Sequence, residues 1–432
     1  MREERYWFIL SILSIGTGGF FAFLVGMSRT PFGHQFFPEN YFYYALVGHV
    51  DLAIVLWLMS FSVLFWTRIF GDKELEKIPL LLSYMGYVLI SLSVLLALGK
   101  PVPNNYVPVL VHPLFFAGLI LYFSGFSYKL ARYMNKAIKS ILSEDPLVNS
   151  ASTGVVTALL MIISYIPSFF KSGNAQEYLL YFERLFWIPG HIQQFVNGTL
   201  LLIGWYYLLK LEGRKLKLGL LKYANLSFIL FSFFTFILLF IFEDPIQRES
   251  KVWSEIAYAV GLGIPIFIHS INILKNIRLK LNVFSTALIL SFVLYYTGIL
   301  IAYLGLSNDL RVPAHYHGAV TSITLVLMAI SYGLLREYGY KKVIGKMARI
   351  QPYFYGIGMI LFVLSLYWAG KKGAPRKTYG VDYVNDPSLI LYLALMGVGT
   401  ILAVIGGVMF VVYVLSSLLL RERVGLNERE KG

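Results

Sequence analysis

The 432-residue chain carries seven histidines, His34, His49, His112, His191, His269, His315 and His317, and no cysteine. His315 and His317 stand two apart in VPAHYHGAVTSITLV. On a helix turning 100° per residue they point about 200° apart, so one helix would present an imidazole to each of two neighbours, as a helix wedged between two flat cofactors does. His49, in YYALVGHVDLAIVLWLMSF, falls near the corresponding end of its own apolar run and so at the same expected depth. Two imidazoles at one depth on different helices can bind one iron from both sides, the ligation of a low-spin electron-transfer haem. The missing cysteines exclude disulfides, iron–sulfur clusters, covalent c-type haem and thiolate-ligated copper within the chain.

The elements that must position these imidazoles are membrane spans. Hydrophobic residues make up 57% of the chain and charged residues 14%, whereas a soluble protein needs roughly 25% charged residues. A water-soluble enzyme is therefore excluded. Apolar runs long enough to cross about 30 Å of hydrocarbon predict about twelve spans, near residues 5–27, 43–67, 78–98, 107–128, 153–170, 184–209, 219–242, 252–274, 281–305, 312–335, 350–370 and 388–420. The first has no small-residue cleavage site after it, which predicts a retained helix and not a signal peptide. The whole chain, residues 1–432, is expected to form a single integral membrane domain.

Charge sets the expected orientation. Of the 37 Lys and Arg residues, 26 fall on alternate segments that share a side with both termini. Cytoplasmic loops retain Lys and Arg, so both termini are expected in the cytoplasm and the chain in the cell (inner) membrane. Four of the remaining 11, Lys371, Lys372, Arg376 and Lys377, crowd one outer loop between the last two spans. That crowding breaks the rule and asks for a function. The net charge of +14 points to a membrane surface, and without aromatic–basic interleaving it gives no case for nucleic acid. A twelve-span chain is most often a secondary transporter, but no internal repeat with broken helices is visible.

Four segments resemble subunit I of the haem-copper oxygen reductase superfamily, which includes cytochrome c oxidases and nitric oxide reductases. GHVDLAIV is similar to the low-spin haem histidine segment, and LFWIPGHIQQF to the Leu-Phe-Trp-x-x-Gly-His run that carries a ligand of the second metal. AHYHG resembles the Ala-His-aromatic-His motif, and GKKGAPRKTYGVDYV the loop that holds the haem propionates. The resemblance implies an all-α polytopic membrane protein with a cytochrome c oxidase subunit I-like bundle of about twelve transmembrane helices. It implies two haems: His49 and His317 as axial ligands of a low-spin haem, His315 as the ligand of a high-spin haem, and Arg376 with Lys377 as propionate partners. Guanidinium binds carboxylate bidentately, which would account for the crowded outer loop.

The chain departs from the family in two places. Four residues after His191, where oxygen-reducing members carry a tyrosine and nitric oxide reductases a glutamate, stands Phe195. Where the family's adjacent His-His pair completes the second metal site, the sequence reads LLFIFEDPIQRES, leaving Glu243 and Asp244 beside His191 as candidate ligands. Carboxylates favour non-haem iron over copper there, although an acidic pair before a proline is ordinarily a solvated turn. His269, in LGIPIFIHSINIL, occupies a position like the family's proton-conducting lysine and reads equally as a relay or a packing residue. Gln193, Gln194, Asn197 and Tyr296 are either part of a water path or interhelical glue. His34 and His112 are expected to be structural.

The expected function is that of a respiratory terminal oxidase's catalytic subunit, with His315 and His191 at the site where oxygen is reduced. The alternatives are nitric oxide reduction at a haem and non-haem iron site, or a haem-binding electron carrier or sensor without gas reduction. Electrons would come from an electron-donor subunit, a cytochrome c or cupredoxin, or quinol, because no cysteine is present to bind a dinuclear copper or c-type haem. Dioxygen or nitric oxide would be the substrate and membrane lipid the surroundings.

Overall fold

The computed structural model describes residues 3–71, 75–173, 175–277, 282–340, 344–384 and 386–419. Its helices are α1 (Glu4–Met27), α2 (Glu39–Val50), α3 (Trp57–Phe70), α4 (Lys77–Leu95), α5 (Pro113–Lys139), α6 (Pro146–Ser172), α7 (Tyr178–Leu211), α8 (Leu226–Ile241), α9 (Arg248–Ala257), α10 (Ile264–Asn276), α11 (Val283–Tyr303), α12 (Arg311–Glu337), α13 (Lys346–Lys371) and α14 (Pro387–Leu419). A π-helical turn, Asp51–Leu56, joins α2 to α3, and another, Tyr258–Gly263, joins α9 to α10. The helices therefore form twelve rods, one for each expected span. Among the described residues eleven rods are long and apolar enough to cross a membrane. The other, α7, has the length at 34 residues, but the polar run GHIQQFVN interrupts its hydrophobicity. Of the basic residues used to orient the chain, Arg2, Lys73, Arg278, Lys280, Lys341, Lys342, Arg421, Arg423, Arg429 and Lys431 lie outside the described residues.

A helix buried in hydrocarbon satisfies its own backbone except at its ends. Side chains cap several of them. Asp145 accepts from the amides of Leu147 and Val148 at the start of α6, and Asn282 from those of Phe284 and Ser285 at the start of α11. His112 caps α5 through Nδ1, which accepts from Leu114 N at 3.3 Å, the structural role expected of it.

The chain divides into two compact units: Met1–Ser28, His34–Tyr206 and Lys215–Ile277 in the first, and Arg29–Gly33, Tyr207–Arg214 and Arg278–Gly432 in the second. In the first unit α1 packs on α2 and α3, α4 on α5, α5 on α6, and α6 on α8. The chain between α4 and α5 forms the hairpin β1 (Lys100–Val102) and β2 (Val109–Val111). A buried charge must be paired, and Lys129, 1% exposed, is held by Glu3 at 2.9 Å and by Glu76.

In the second unit α11 packs on α12 and α13, and α13 on α14. α11 meets α12 where Gly298 faces Gly318: a Cβ on Gly298 would meet His315 O and Ala319 N, both at 2.7 Å. Ala314 and Leu310 of the α12 start share one core with Ala374 of the α13–α14 loop and with Ile301, Leu366 and Leu393. Asp309 clasps the start of α12, accepting from Arg311 N at 2.8 Å and Arg311 Nη2 at 2.7 Å, while Leu310 N donates to Ala374 O at 3.1 Å. The histidine-bearing end of α12 and the basic loop are thus fastened to each other.

Burial pushes the Asp309 carboxyl up, but its hydrogen bonds from Arg311 and the nearby charge outweigh this and hold it below the usual carboxylate range. A lowered native pKa stabilises the fold above the unfolded value near 3.9, and the benefit is lost as pH falls through the native value. Asp309→Asn is expected to lower stability by about 1–2 kcal/mol at pH 7. The difference from the parent should shrink towards zero below about pH 3, as read by detergent unfolding at the two pH values.

Candidate functional site

The two histidines of α12 are set by the same device. His315 Nδ1 lies 2.8 Å from Gly298 O, and His317 Nδ1 lies 2.7 Å from Pro313 O, four residues earlier on its own helix. A carbonyl only accepts, so each Nδ1 carries the proton and Nε2 is left as the lone-pair nitrogen, the tautomer that iron-binding imidazoles use. The first bond exists because Gly298 lets α11 approach closely enough for its carbonyl to reach the ring. Both rings are half-buried. Phe362 of α13 packs edge-on against His317 at 5.1 Å, and Tyr316 stacks on it at 4.7 Å.

Beside this motif, within the same unit, lies the basic loop. Arg376 acts electrostatically on Tyr316, and so does Arg29. Arg29, 8% exposed, donates from Nη2 to Pro375 O at 2.6 Å. Lys377 adopts φ +55°, a left-handed conformation rare for a residue with a Cβ. Thr378 Oγ1 donates to Arg376 O at 3.1 Å. The loop therefore gathers Arg29 with Arg376 near Tyr316, cations suited to carboxylates. Arg29 was not singled out in the sequence, because more than 300 residues separate it from the loop it joins.

In the first unit His49 lies in the last turn of α2, one residue before its end at Val50, half-buried and beside the backbone of Gly18 in α1. Two residues on, Asp51 is completely buried. Among the described residues neither of its oxygens has a hydrogen-bond partner, and Tyr165 of α6 lies within reach of its charge. An ionisable residue inside a span is expensive and marks a functional position by default. The sequence displayed this acid within an apolar run, yet the histidine pattern drew attention past it.

His191 lies in α7, 3% exposed. Its Nδ1–H donates to Trp187 O at 2.8 Å, again four residues earlier. The Tyr106 hydroxyl is 2.8 Å from Nδ1 and 3.1 Å from Nε2, and the Tyr258 ring is stacked on the imidazole at 4.7 Å. Tyr258 OH also donates to His191 O at 3.2 Å. Tyr106 is brought there by a turn between β1 and β2, in which the Asn104 side chain accepts from both Tyr106 N and Val107 N at 3.0 Å. Phe195 packs against Tyr258 at 5.8 Å.

Glu243 and Asp244 are not gathered around His191. Asp244 receives Arg184 Nη2 at 2.7 Å and Nε at 3.2 Å, and Ile246 N at 3.0 Å. Burial raises its pKa, but these donors outweigh that and hold the carboxyl below its usual range. Lys171 donates to the Glu243 backbone oxygen at 3.3 Å. Among the described residues no three His, Cys, Asp or Glu side chains form a metal-binding group.

His269 is completely buried, with Tyr206 OH 2.8 Å from Nδ1 and Asn225 Oδ1 3.1 Å from Nε2. Asn225 Nδ2 donates to Asn149 Oδ1 and to Ser150, so its oxygen faces His269 and Nε2 carries the proton. Asn272 donates in turn to Tyr206 OH at 3.0 Å. Every polar atom of the ring is satisfied in the neutral form, the arrangement of a packing residue. Gln194 and Asn197 hydrogen-bond each other along α7 at 3.1 Å.

The chain matches the family model described as cytochrome c and quinol oxidase polypeptide I over residues 4–409. It is 37% identical to an uncharacterized protein of Aquifex aeolicus, across 85% of this chain and 92% of that one. It is 26% identical to an uncharacterized protein of Rickettsia prowazekii, across 94% of each. With its histidine pair on the tenth rod and the basic loop fastened to it, this polytopic helical membrane protein belongs to the cytochrome c and quinol oxidase subunit I family, that of the haem-copper oxidases.

Proposed function

We propose that the chain is the haem-bearing subunit of a membrane respiratory reductase, with His49 and His317 holding a low-spin haem and His315 a high-spin haem that binds a small gas. The observation that carries this reading is the pair of imidazoles on α12, two residues apart, each with Nδ1 committed to a backbone carbonyl that fixes its tautomer and ring plane. A haem held by His49 and His317 would supply one-electron transfer, and one held by His315 would supply gas binding.

The chain's own residues orient and shield. The Gly298 and Pro313 carbonyls fix the ring planes of His315 and His317, and Phe362 walls one side of His317. Arg376 and Lys377, with Arg29 beside them, compensate propionate charge. With no cysteine for a copper or c-type haem relay, the reductant is a partner protein or quinol, and the termini are taken to face the cytoplasm. Dioxygen is the proposed gas and nitric oxide the alternative. A second reading, an electron carrier or gas sensor without gas reduction, is favoured by Asp244 being bound to Arg184 and by Phe195 in place of a residue that could supply protons.

Purified protein should give a reduced-minus-oxidised spectrum of two haems, of which one shifts with carbon monoxide. Absence of haem absorbance overturns the proposal. His315→Ala should remove the carbon monoxide shift and spare the low-spin bands, and His317→Ala should do the reverse; equal loss of both signals in each variant would contradict separate ligation. Gly298→Ala, which drives a methyl group into the His315 backbone, should weaken occupancy of the high-spin haem more than that of the low-spin one, as read by the haem-to-protein ratio.

A further inference from the structure

A second metal facing the high-spin haem is implied by the family, and its donor set can be tested against the residues around His191. First-row metals at such sites take three or four ligands, with nitrogen about 2.0–2.1 Å from the ion. His191 brings one nitrogen. Asp244 is committed to Arg184 and Ile246 N, and among the described residues no three His, Cys, Asp or Glu form a group that could hold a metal ion. The donor set does not fit the metal.

What surrounds His191 instead is aromatic. Tyr258, Trp187 and Tyr106 have ring centroids 4.7, 4.7 and 5.0 Å from the imidazole. Nδ1–H donates to Trp187 O, and the Tyr106 hydroxyl lies across the ring, 2.8 Å from Nδ1 and 3.1 Å from Nε2. The arrangement is built into the backbone. Tyr106 packs directly on Gly190, where any Cβ would overlap its ring, and Asn104 shapes the turn that presents it. The glycine before the histidine thus makes room for a phenol. A hydrogen bond from a neutral hydroxyl satisfies a buried imidazole without any ion.

We propose that His191 carries no metal in this chain and that an aromatic enclosure with the Tyr106 hydroxyl against the ring takes the place of a ligand set, so that the redox-active iron is haem iron alone. The inference deepens the functional reading above and rests on it for the number of haems, but not for the state of His191. It assigns Tyr106, Tyr258 and Gly190 a shared role: enclosing the imidazole in a neutral, hydrogen-bonded aromatic cage.

The test is a metal inventory. Protein purified from cells supplied with copper and iron is analysed for iron, copper and zinc by mass spectrometry, with haem measured separately as the pyridine complex. The expected result is an iron-to-haem ratio of about 1, copper and zinc below about a tenth of an equivalent per chain, and the same values in His191→Gln. One equivalent of copper or zinc, or of iron beyond haem, that disappears in His191→Gln or His191→Ala overturns the proposal. So does such a metal that disappears in Tyr106→Phe, which would make the phenol a ligand. The wild-type inventory decides the matter even if a variant fails to fold. A preparation without haem sinks the functional reading while leaving the metal question answered, so the two failures are distinguishable.

Discussion

A single hydrogen bond, Nδ1–H of an imidazole to a backbone carbonyl, organises the chemistry of this chain. It occurs at His191, His315 and His317. Twice the carbonyl is four residues earlier on the same helix, and once it belongs to a neighbouring helix brought close by a glycine. In each case the bond fixes the tautomer and ring plane and leaves Nε2 to define the residue's role. For His191 what lies against the ring is the Tyr106 hydroxyl, 2.8 Å from Nδ1 and 3.1 Å from Nε2. One local device therefore serves different ends, and the difference lies in what the tertiary structure places opposite the second nitrogen.

The cost of burying polar groups explains much of the remaining architecture. Lys129 is tied to two glutamates, and His269 lies in a hydrogen-bonded network with Tyr206, Asn225 and Asn149. These groups are paid for where they sit. Asp51 is the contrast, a buried carboxyl beside a π-helical turn with no hydrogen-bond partner among the described residues. Packing does not repay such a group, and π turns recur at functional positions.

The histidine pair and the basic loop, which the structure fastens together, were legible in the sequence because their signals are local. His-x-His on an apolar run fixes two directions on one helix, and four cations in one loop between spans violate charge retention wherever the chain folds. His112 was expected to be structural from its place at the start of a span, and it caps α5. Tyr106 was illegible: it lies in a Pro- and Asn-rich turn 85 residues from the imidazole it meets. Arg29 escaped for the same reason. The acidic pair Glu243 and Asp244 was read as possible ligands because sequence order cannot show that Arg184 of α7, 60 residues away, claims Asp244.

The sequence by itself determined the solvent, the number of rods and which of them carry the imidazoles, since hydrophobic run length, charge distribution and helical periodicity are properties of neighbouring residues. Only the tertiary structure decided which groups face those imidazoles. A hydrogen bond acts over about 3 Å, and the partners that matter, the Gly298 carbonyl at His315 and the Tyr106 hydroxyl at His191, arrive from other segments of the chain.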